Sequence, residues 1–493
     1  SCALMVRRHQ SPDLPHLARG TYVPQYAVRD VSADSVPAPG EEGLGFDAAA
    51  PSRRKTQFKR ATVRIEPDTP VSPFIVRNLR RIWIAVGSMI AMLVLILGLL
   101  WGFRPGTPEF LAAPEGAEQF VPSDTGFPMA AVVLSDNDDR AEFEPLLAEF
   151  RNGASRFQTV RIISALPEPL DIAAATYQLS LTPRGDDRVD VSLTNVAAQE
   201  LVWQGALTGR SETAIASMLT TLFPEDGIIY RDAERRETLN EAGLCLARIA
   251  DFFAEQSAPR FEPAFGCTTR QVEANPNGAL MHAQRANLIV EGLRDNYALA
   301  KGFTVSDAMQ AANRAIELQP LLPQGHRSLG NTMLFTQDSS PAVDAFKRAF
   351  ELNPYDLSLS ASYGFALYEA GNCRQAVALL DRATGNIVGH PSWWDYTKFL
   401  CAFELGDRRV MAKAANGLAR FDRSYYIAAR AISAQANGDL GLRDMLIARL
   451  SEKNTGLTRD PKSYYARFLP ERLAGRMYGA LIDAGFVGST SGE

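Results

Sequence analysis

Histidine and cysteine are scarce, five of each in 493 residues. So few imidazoles and thiols leave little material for a multi-metal centre. Five cysteines also cannot frame a chain this long with disulfides. The chain holds no G-x-S-x-G, H-E-x-x-H or Walker loop and no paired C-x-x-C. His282, His326 and His390 are scattered and read as capping or surface residues. No catalytic residue, metal site or cofactor is expected. Neither sign of charge dominates: 51 basic residues stand against 56 acidic ones, net −5, so the whole chain is not a nucleic-acid coat. Apolar residues at 46% and charged residues at 22% are ordinary for folded protein. The length suits two or three domains. The chain opens on Ser1-Cys2 rather than Met, so it reads as a fragment of a longer protein.

One stretch lacks charge altogether. Ile82–Phe103 (IWIAVGSMIAMLVLILGLLWGF) runs 22 residues without an ionisable group, which as helix covers a hydrocarbon core of about 30 Å. Trp83, Trp101 and Phe103 lie near its ends, where interfacial aromatics belong. Residues 1–81 carry 13 basic and 8 acidic residues, and the remainder carries 38 and 48. Basic flanks stay on the cytoplasmic side. The expectation is a single-pass bacterial inner-membrane protein, N-terminus cytoplasmic and C-terminal body periplasmic. Gly87 and Ala91 form a small-xxx-small pattern that would let two such helices pair into a homodimer.

The segments follow from composition. Residues 27–81 are a disordered basic linker, rich in Pro, Ala, Ser and charge. Residues 82–103 are the membrane helix, and the Gly/Pro-rich 104–125 a stalk. From 126 to 235 strand and helix patterns alternate: Phe127–Ser135 as strand, 141–151 as amphipathic helix, Thr159–Ser164 as strand. TYQLSLTP and RVDVSLTNV then alternate around Arg184–Asp187 as a hairpin, ELVWQGALTG adds a strand, and Thr213–Leu222 is a helix. Asp136, Asp138 and Asp139 read as a solvated loop rather than a cation site. Residues 236–490 are helical throughout.

Three resemblances attach to these residues. The piece Arg19-Gly20-Thr21-Tyr22-Val23-Pro24 resembles the end of the cytoplasmic domain in membrane proteins that bear tetratricopeptide repeats, and the terminal wing of winged-helix regulators of the ToxR/CadC type. It makes 1–26 the remnant of a cytoplasmic domain. The 126–235 pattern, with Tyr177, Leu193 and Trp203, resembles the TolB N-terminal and FlgO-like domains, which bind partners and are not catalytic. HRSLGNTMLFTQDSSPAVDAFKRAFELNP (326–354) resembles the tetratricopeptide repeat. Its small residues recur at 34-residue shifts, and Gly371, Gly406 and Gly438 mark successive turns. The fold class expected is mixed: a disordered tail, one transmembrane helix, a small α/β domain of TolB-N type and an all-α tetratricopeptide-repeat solenoid.

The repeat resemblance implies an inward face made by each repeat's first helix. It assigns peptide binding to Arg327, Asn331, Phe365, Tyr368, Trp393 and Tyr396. For Trp393 and Tyr396 packing between helices stays open as the alternative. Cys373–Cys401 and Cys245–Cys267 are candidate disulfides, with four buried free thiols as the alternative. The function expected is a periplasmic scaffold or sensor, anchored in the lipid bilayer, that binds a protein or peptide. The alternatives are a membrane-integrated regulator touching nucleic acid only through a missing domain, and a repeat-bearing adenylate cyclase lacking its catalytic domain.

Overall fold

Alternating apolar residues make the sheet. The computed structural model describes residues 127–487, apart from 136–139, 168–174, 185–187, 337–338 and 386–388. Its strands are β1 (Met129–Leu134), β2 (Arg161–Ile163), β3 (Thr176–Pro183), β4 (Arg188–Asn195) and β5 (Glu200–Thr208), in the spatial order β2-β1-β3-β4-β5. β1 runs parallel to β2 and β3, and β3-β4-β5 is an antiparallel meander. Tyr177, Leu179 and Leu181 alternate inward along β3, opposite Leu193 and Val191 of β4. Helices α1 (Arg140–Ser155), α2 (Glu212–Leu222) and α3 (Ile228–Arg235) cover that apolar face with Phe143, Leu147, Phe150, Ile215 and Leu219. Asp232 of α3 is buried and ties it to the sheet. It accepts hydrogen bonds from Tyr177 Oη at 3.0 Å and Asn195 Nδ2 at 3.3 Å, and an ion pair from Arg236 Nε at 2.9 Å. Burial alone would raise this carboxyl. The donors outweigh it and hold the group below the ordinary carboxylate range.

From Glu241 the chain is a series of antiparallel helix pairs: α4 (Glu241–Ala254) with α5 (Ala258–Ala274), α6 (Ala279–Asp295) with α7 (Val305–Leu318), α8 (Pro323–Phe335) with α9 (Ser339–Leu352), α10 (Leu357–Glu369) with α11 (Cys373–Thr384), α12 (Ser392–Leu405) with α13 (Arg408–Gly417), and α14 (Ser424–Ala436) with α15 (Leu440–Ser451). Second helices begin at Ser339, Cys373 and Arg408, and first helices at Pro323, Leu357 and Ser392, the spacing of tetratricopeptide repeats. Close approach needs small residues. A Cβ on Gly330 would lie 2.7 Å from Phe346, and one on Gly364, 34 residues on, 2.9 Å from Leu380. The turns repeat too. Gly371, Gly406 and Gly438 take left-handed φ of 80°, 72° and 77°. The next residue's N–H reaches back to Leu367, Ala402 and Ala434 at 2.7, 2.9 and 2.9 Å, the pattern that ends helices at glycine. Three shorter helices, α16 (Gly456–Arg459), α17 (Pro461–Phe468) and α18 (Glu471–Asp483), close the described chain.

One expectation is corrected. Among the described residues no helix is long and apolar enough to cross a membrane. The longest, α5 and α6, have 17 residues each and carry charges, short of the roughly 20 apolar residues a span needs. The transmembrane helix in the expected fold class, and the single-pass inner-membrane localisation built on it, are overturned by that finding. The bilayer partner and the pairing of membrane helices find no support in the described residues. Ile82–Phe103, Gly87, Ala91, the basic linker, the 1–26 remnant and Asp136, Asp138 and Asp139 lie outside the described residues.

Candidate functional site: a covered inner face

The paired helices differ in how much of their circumference is buried. In α9 a single stripe is buried: Ala342, Ala345, Phe346 and Ala349. In α10 nearly every residue from Leu357 to Tyr368 is buried, and α8, α12 and α14 are similar. First helices therefore pack on both sides. One side meets the second helices of the repeats. The other is covered by parts of the same chain.

The sheet-bearing part covers the earlier repeats. Thr220 of α2 donates to the carbonyl of Tyr355 at 2.8 Å and accepts from the N–H of Leu357 at 2.9 Å. Arg382 of α11 reaches Glu212 at 2.6 Å and the Pro354 carbonyl at 2.9 Å. The turn between α2 and α3 brings Glu225 to Gln284 Nε2 at 3.3 Å. Asn287 donates to Gln284, and Asn331 Nδ2 to Asn287 Oδ1 at 2.9 Å, so a ladder of buried amides runs from α6 to α8. Asp226 follows Glu225 in the same turn. Burial first, then Glu225 and Asp356, push its carboxyl up to about 8 against the pull of Arg231. Burial also raises Asp356, although Arg327 opposes it and Ser358 donates two hydrogen bonds to its carboxylate.

The C-terminal helices cover the later repeats. Tyr396 of α12 packs against Tyr425 and Tyr426 of α14, ring centroids 5.2 and 5.4 Å apart. Burial drives the Tyr396 phenol far up, and Tyr465 and Tyr464 of α17 push it the same way. The hydroxyls of Tyr368, Tyr396 and Tyr465 are buried without a hydrogen-bond partner among the described residues. At the rim, Arg472 Nε meets both Glu404 oxygens at 3.1 and 3.0 Å, its guanidinium lies over the Tyr368 ring, and it bonds the Tyr368 carbonyl. Arg476 bonds the carbonyls of Phe403 and Glu404 at 3.2 and 3.3 Å. Two cations thus serve the C-terminal ends of α10 and α12, where helix dipoles favour positive charge. Beside them burial pushes the Glu369 carboxyl up to about 7, against the pull of Arg472.

The six residues assigned to peptide binding fall in two groups. Arg327 and Asn331 are buried in the polar ladder beneath the sheet-bearing part. Phe365, Tyr368 and Tyr396 are buried, and Trp393 is half-buried, edge-on to Phe365 at 6.0 Å. Cys245–Cys267 joins α4 to α5 with Cα atoms 5.7 Å apart, and Cys373–Cys401 joins α11 to α12 at 4.9 Å. His282 and His326 each bond a proline carbonyl at 2.9 Å, Pro276 and Pro320, in repeat-equivalent turns. His390 pairs with Asp395 at 2.7 Å. Among the described residues no cluster of three or more His, Cys, Asp or Glu could hold a metal. Asp226, Glu404, Tyr465, Arg472 and Arg476 were not singled out from sequence. The arginines at 472 and 476, one turn apart beside an amphipathic stripe, were the signal that could have found the cover.

No protein-family model matches the chain, and no curated protein does. Among solved structures it is similar to YrrB, described as a TPR protein with an unusual peptide-binding site (15% identity, TM-score 0.30, 38% of this chain and 91% of that one). It is also similar to MamA (12%, 0.23, 45% and 93%). A third is the Naa15/Naa10 complex bound to HypK-THB (15%, 0.19, 51% and 40%). At these TM-scores the repeat architecture rests on the chain's own helix pairing and periodicity.

Proposed function

We propose that this protein is a binding scaffold whose repeat body takes a protein or peptide on the face of its first helices. The observation that carries this reading is the aromatic cluster of α10 and α12, where Phe365, Tyr368 and Tyr396 are buried and the half-buried Trp393, edge-on to Phe365, is the part that solvent reaches. Aromatic side chains supply large contact area at low entropic cost, which is why binding surfaces use them. Arg327 and Asn331, in this reading, hold the sheet-bearing part in place, and the later repeats bind. We read residues 126–235 as a partner-binding unit of the TolB-N kind and 236–490 as the repeat body. The β-α-β-β-β-β-α order and the pairing of Leu193 with Trp203 support this.

The test is a panel of extended and helical peptides titrated into the full chain by fluorescence anisotropy. Peptides that bind are expected to lose at least about tenfold in affinity on Trp393→Ala, the size of a hot-spot truncation, with the circular dichroism spectrum retained. Peptides that bind Trp393→Ala and Phe365→Leu as tightly as the native chain would sink the reading, as would a panel in which none binds.

A further inference from the structure

Charge is divided along the chain. Residues 127–407 carry 23 basic and 36 acidic residues, whereas 408–476 carry 14 and 6, and 11 of those 14 are arginine. Part of the excess gathers at one end of the repeat helices. Arg449 and Lys453, at the close of α15, share the single carboxylate of Asp422 at 2.6 and 2.8 Å. Arg420 and Arg423 flank Asp422 in the link between α13 and α14, and both are exposed. Thr458 Oγ1 donates to the Lys453 carbonyl at 2.7 Å, so α16, with the exposed Arg459, starts beside them. Arg430 of α14 is half-buried and makes no ion pair among the described residues. Burial, then the charge of Arg449, push its guanidinium below the ordinary value, and no carboxylate offsets them.

Other features meet at the same end. Helices α12 and α14 both begin without a side-chain cap, so the positive ends of their dipoles carry no side-chain acceptor. Ser392 Oγ lies 2.9 Å from Tyr426 Oη and joins the two starts. Trp393 follows Ser392. Between the start of α12 and the end of α13 lies a cavity of about 300 Å³, walled by His390, Asp395, Asn416 and Arg420. Its one carboxylate, Asp395, is already paired with His390 at 2.7 Å, and Arg420 bonds the His390 carbonyl at 3.1 Å.

We propose that this end of the repeat body is a docking surface for an extended acidic segment of a partner protein, whose carboxylates meet Arg420, Arg430, Arg449 and Lys453 while an apolar side chain lies on Trp393. The cations come from three successive elements, so a chain crossing the helix ends meets them in turn. Arginine's planar fork matches carboxylates, and a carboxylate at Arg430 supplies the counter-charge that the fold withholds. A short segment fits the charge map where a long polyanion does not. A nucleic-acid strand or an anionic lipid surface would run past the patch onto a body with 13 more acidic than basic residues, where like charges repel. Arg327 and Asn331 take no part, because the sheet-bearing part buries them.

This inference rests on the binding reading above and names the charge of its partner. The probes are three fluorescent chains of equal length, titrated into the full-length protein: a Glu/Ser peptide with one central Leu, its Lys/Ser counterpart, and a thymidine oligonucleotide. The acidic peptide is expected to bind at least about tenfold tighter than the other two, and to weaken as salt rises. Arg430→Met should weaken it by about tenfold or more while melting at or above the native temperature, because a desolvated cation with no carboxylate beside it is removed. Asp422→Asn should act in the opposite direction and tighten the acidic peptide, since it releases Arg449 and Lys453 from a competing carboxylate. If Arg430→Met also lowers the melting temperature, Asp422→Asn decides, and binding that it leaves unchanged or weakens overturns the site. Equal affinity for the two peptides, or none for either, overturns the proposal, and the peptide panel with Trp393→Ala then decides the binding reading separately. An oligonucleotide that binds more tightly than the acidic peptide assigns the patch to a phosphate backbone and likewise overturns it.

Discussion

Thr220 and the carbonyl of Tyr355, 135 residues apart, share a 2.8 Å hydrogen bond, and the same hydroxyl accepts from the N–H of Leu357 at 2.9 Å. One side chain serves both polar groups of the turn that starts α10. The sheet-bearing part is thereby registered on the repeats by donors and acceptors that water cannot reach. Thr220→Val keeps the shape and removes both bonds, leaving the Leu357 N–H buried and unsatisfied. The expected cost is about 2–3 kcal/mol, read as a lowered urea midpoint.

Asp226 predicts how stability responds to pH. Burial and, after it, the negative charges of Glu225 and Asp356 raise it to about 8, with Arg231 opposing. The folded chain keeps a proton that the unfolded chain gives up above about pH 4. Its contribution is therefore fully present below that range and is lost as pH rises through about 8. Asp226→Asn should melt higher than the native chain at pH 8–9, and the gap should close below about pH 4. Equal melting at pH 9 would contradict the assignment.

Gly330 predicts a packing failure. Its missing Cβ is replaced in space by the fully buried Phe346 ring, which has nowhere to go. Ala is the better helix former by about 1 kcal/mol, yet Gly330→Ala should be destabilising, because overpacking costs about 1–3 kcal/mol. Adding Phe346→Leu should recover part of the loss. A double-mutant cycle with no coupling between the two sites would argue against this packing.

The disulfides close loops with sequence separations of 22 and 28 residues. Chain entropy alone assigns each about 3 kcal/mol. Cys373→Ser/Cys401→Ser should lower the thermal midpoint, and added reductant should then shift only what the Cys245–Cys267 bond still contributes. Indifference of the native chain to reductant would mean the thiols are not oxidised in solution.

The repeats were legible because their cause is local. Gly330 and Gly364, Phe346 and Leu380, and the three turn glycines recur at repeat spacing, and each acts on a neighbour a few residues or one helix away. The sheet was legible for the same reason, through the alternation in β3 and β4. The candidate site was not. Phe365, Tyr368 and Tyr396 stand out in sequence as an aromatic row, but Arg472, which lies over the Tyr368 ring, comes from about a hundred residues further on. Nothing in a helix pattern says where its apolar stripe will dock. Arg327 and Asn331 matched a binding motif, yet Glu225 and Asp226 sit about a hundred residues upstream in another kind of structure. A motif cannot report that contact.

Period, glycine placement and strand alternation were thus decided by the amino-acid sequence itself, because backbone sterics and side-chain spacing act over a few residues. Which face stays open, which aspartate keeps its proton and which phenols go unpaired were decided only by tertiary structure. Burial and charge at a point depend on every segment that meets there, and those meetings reach far along the chain, as in Asn353 with the carbonyl of Arg156, separated by 197.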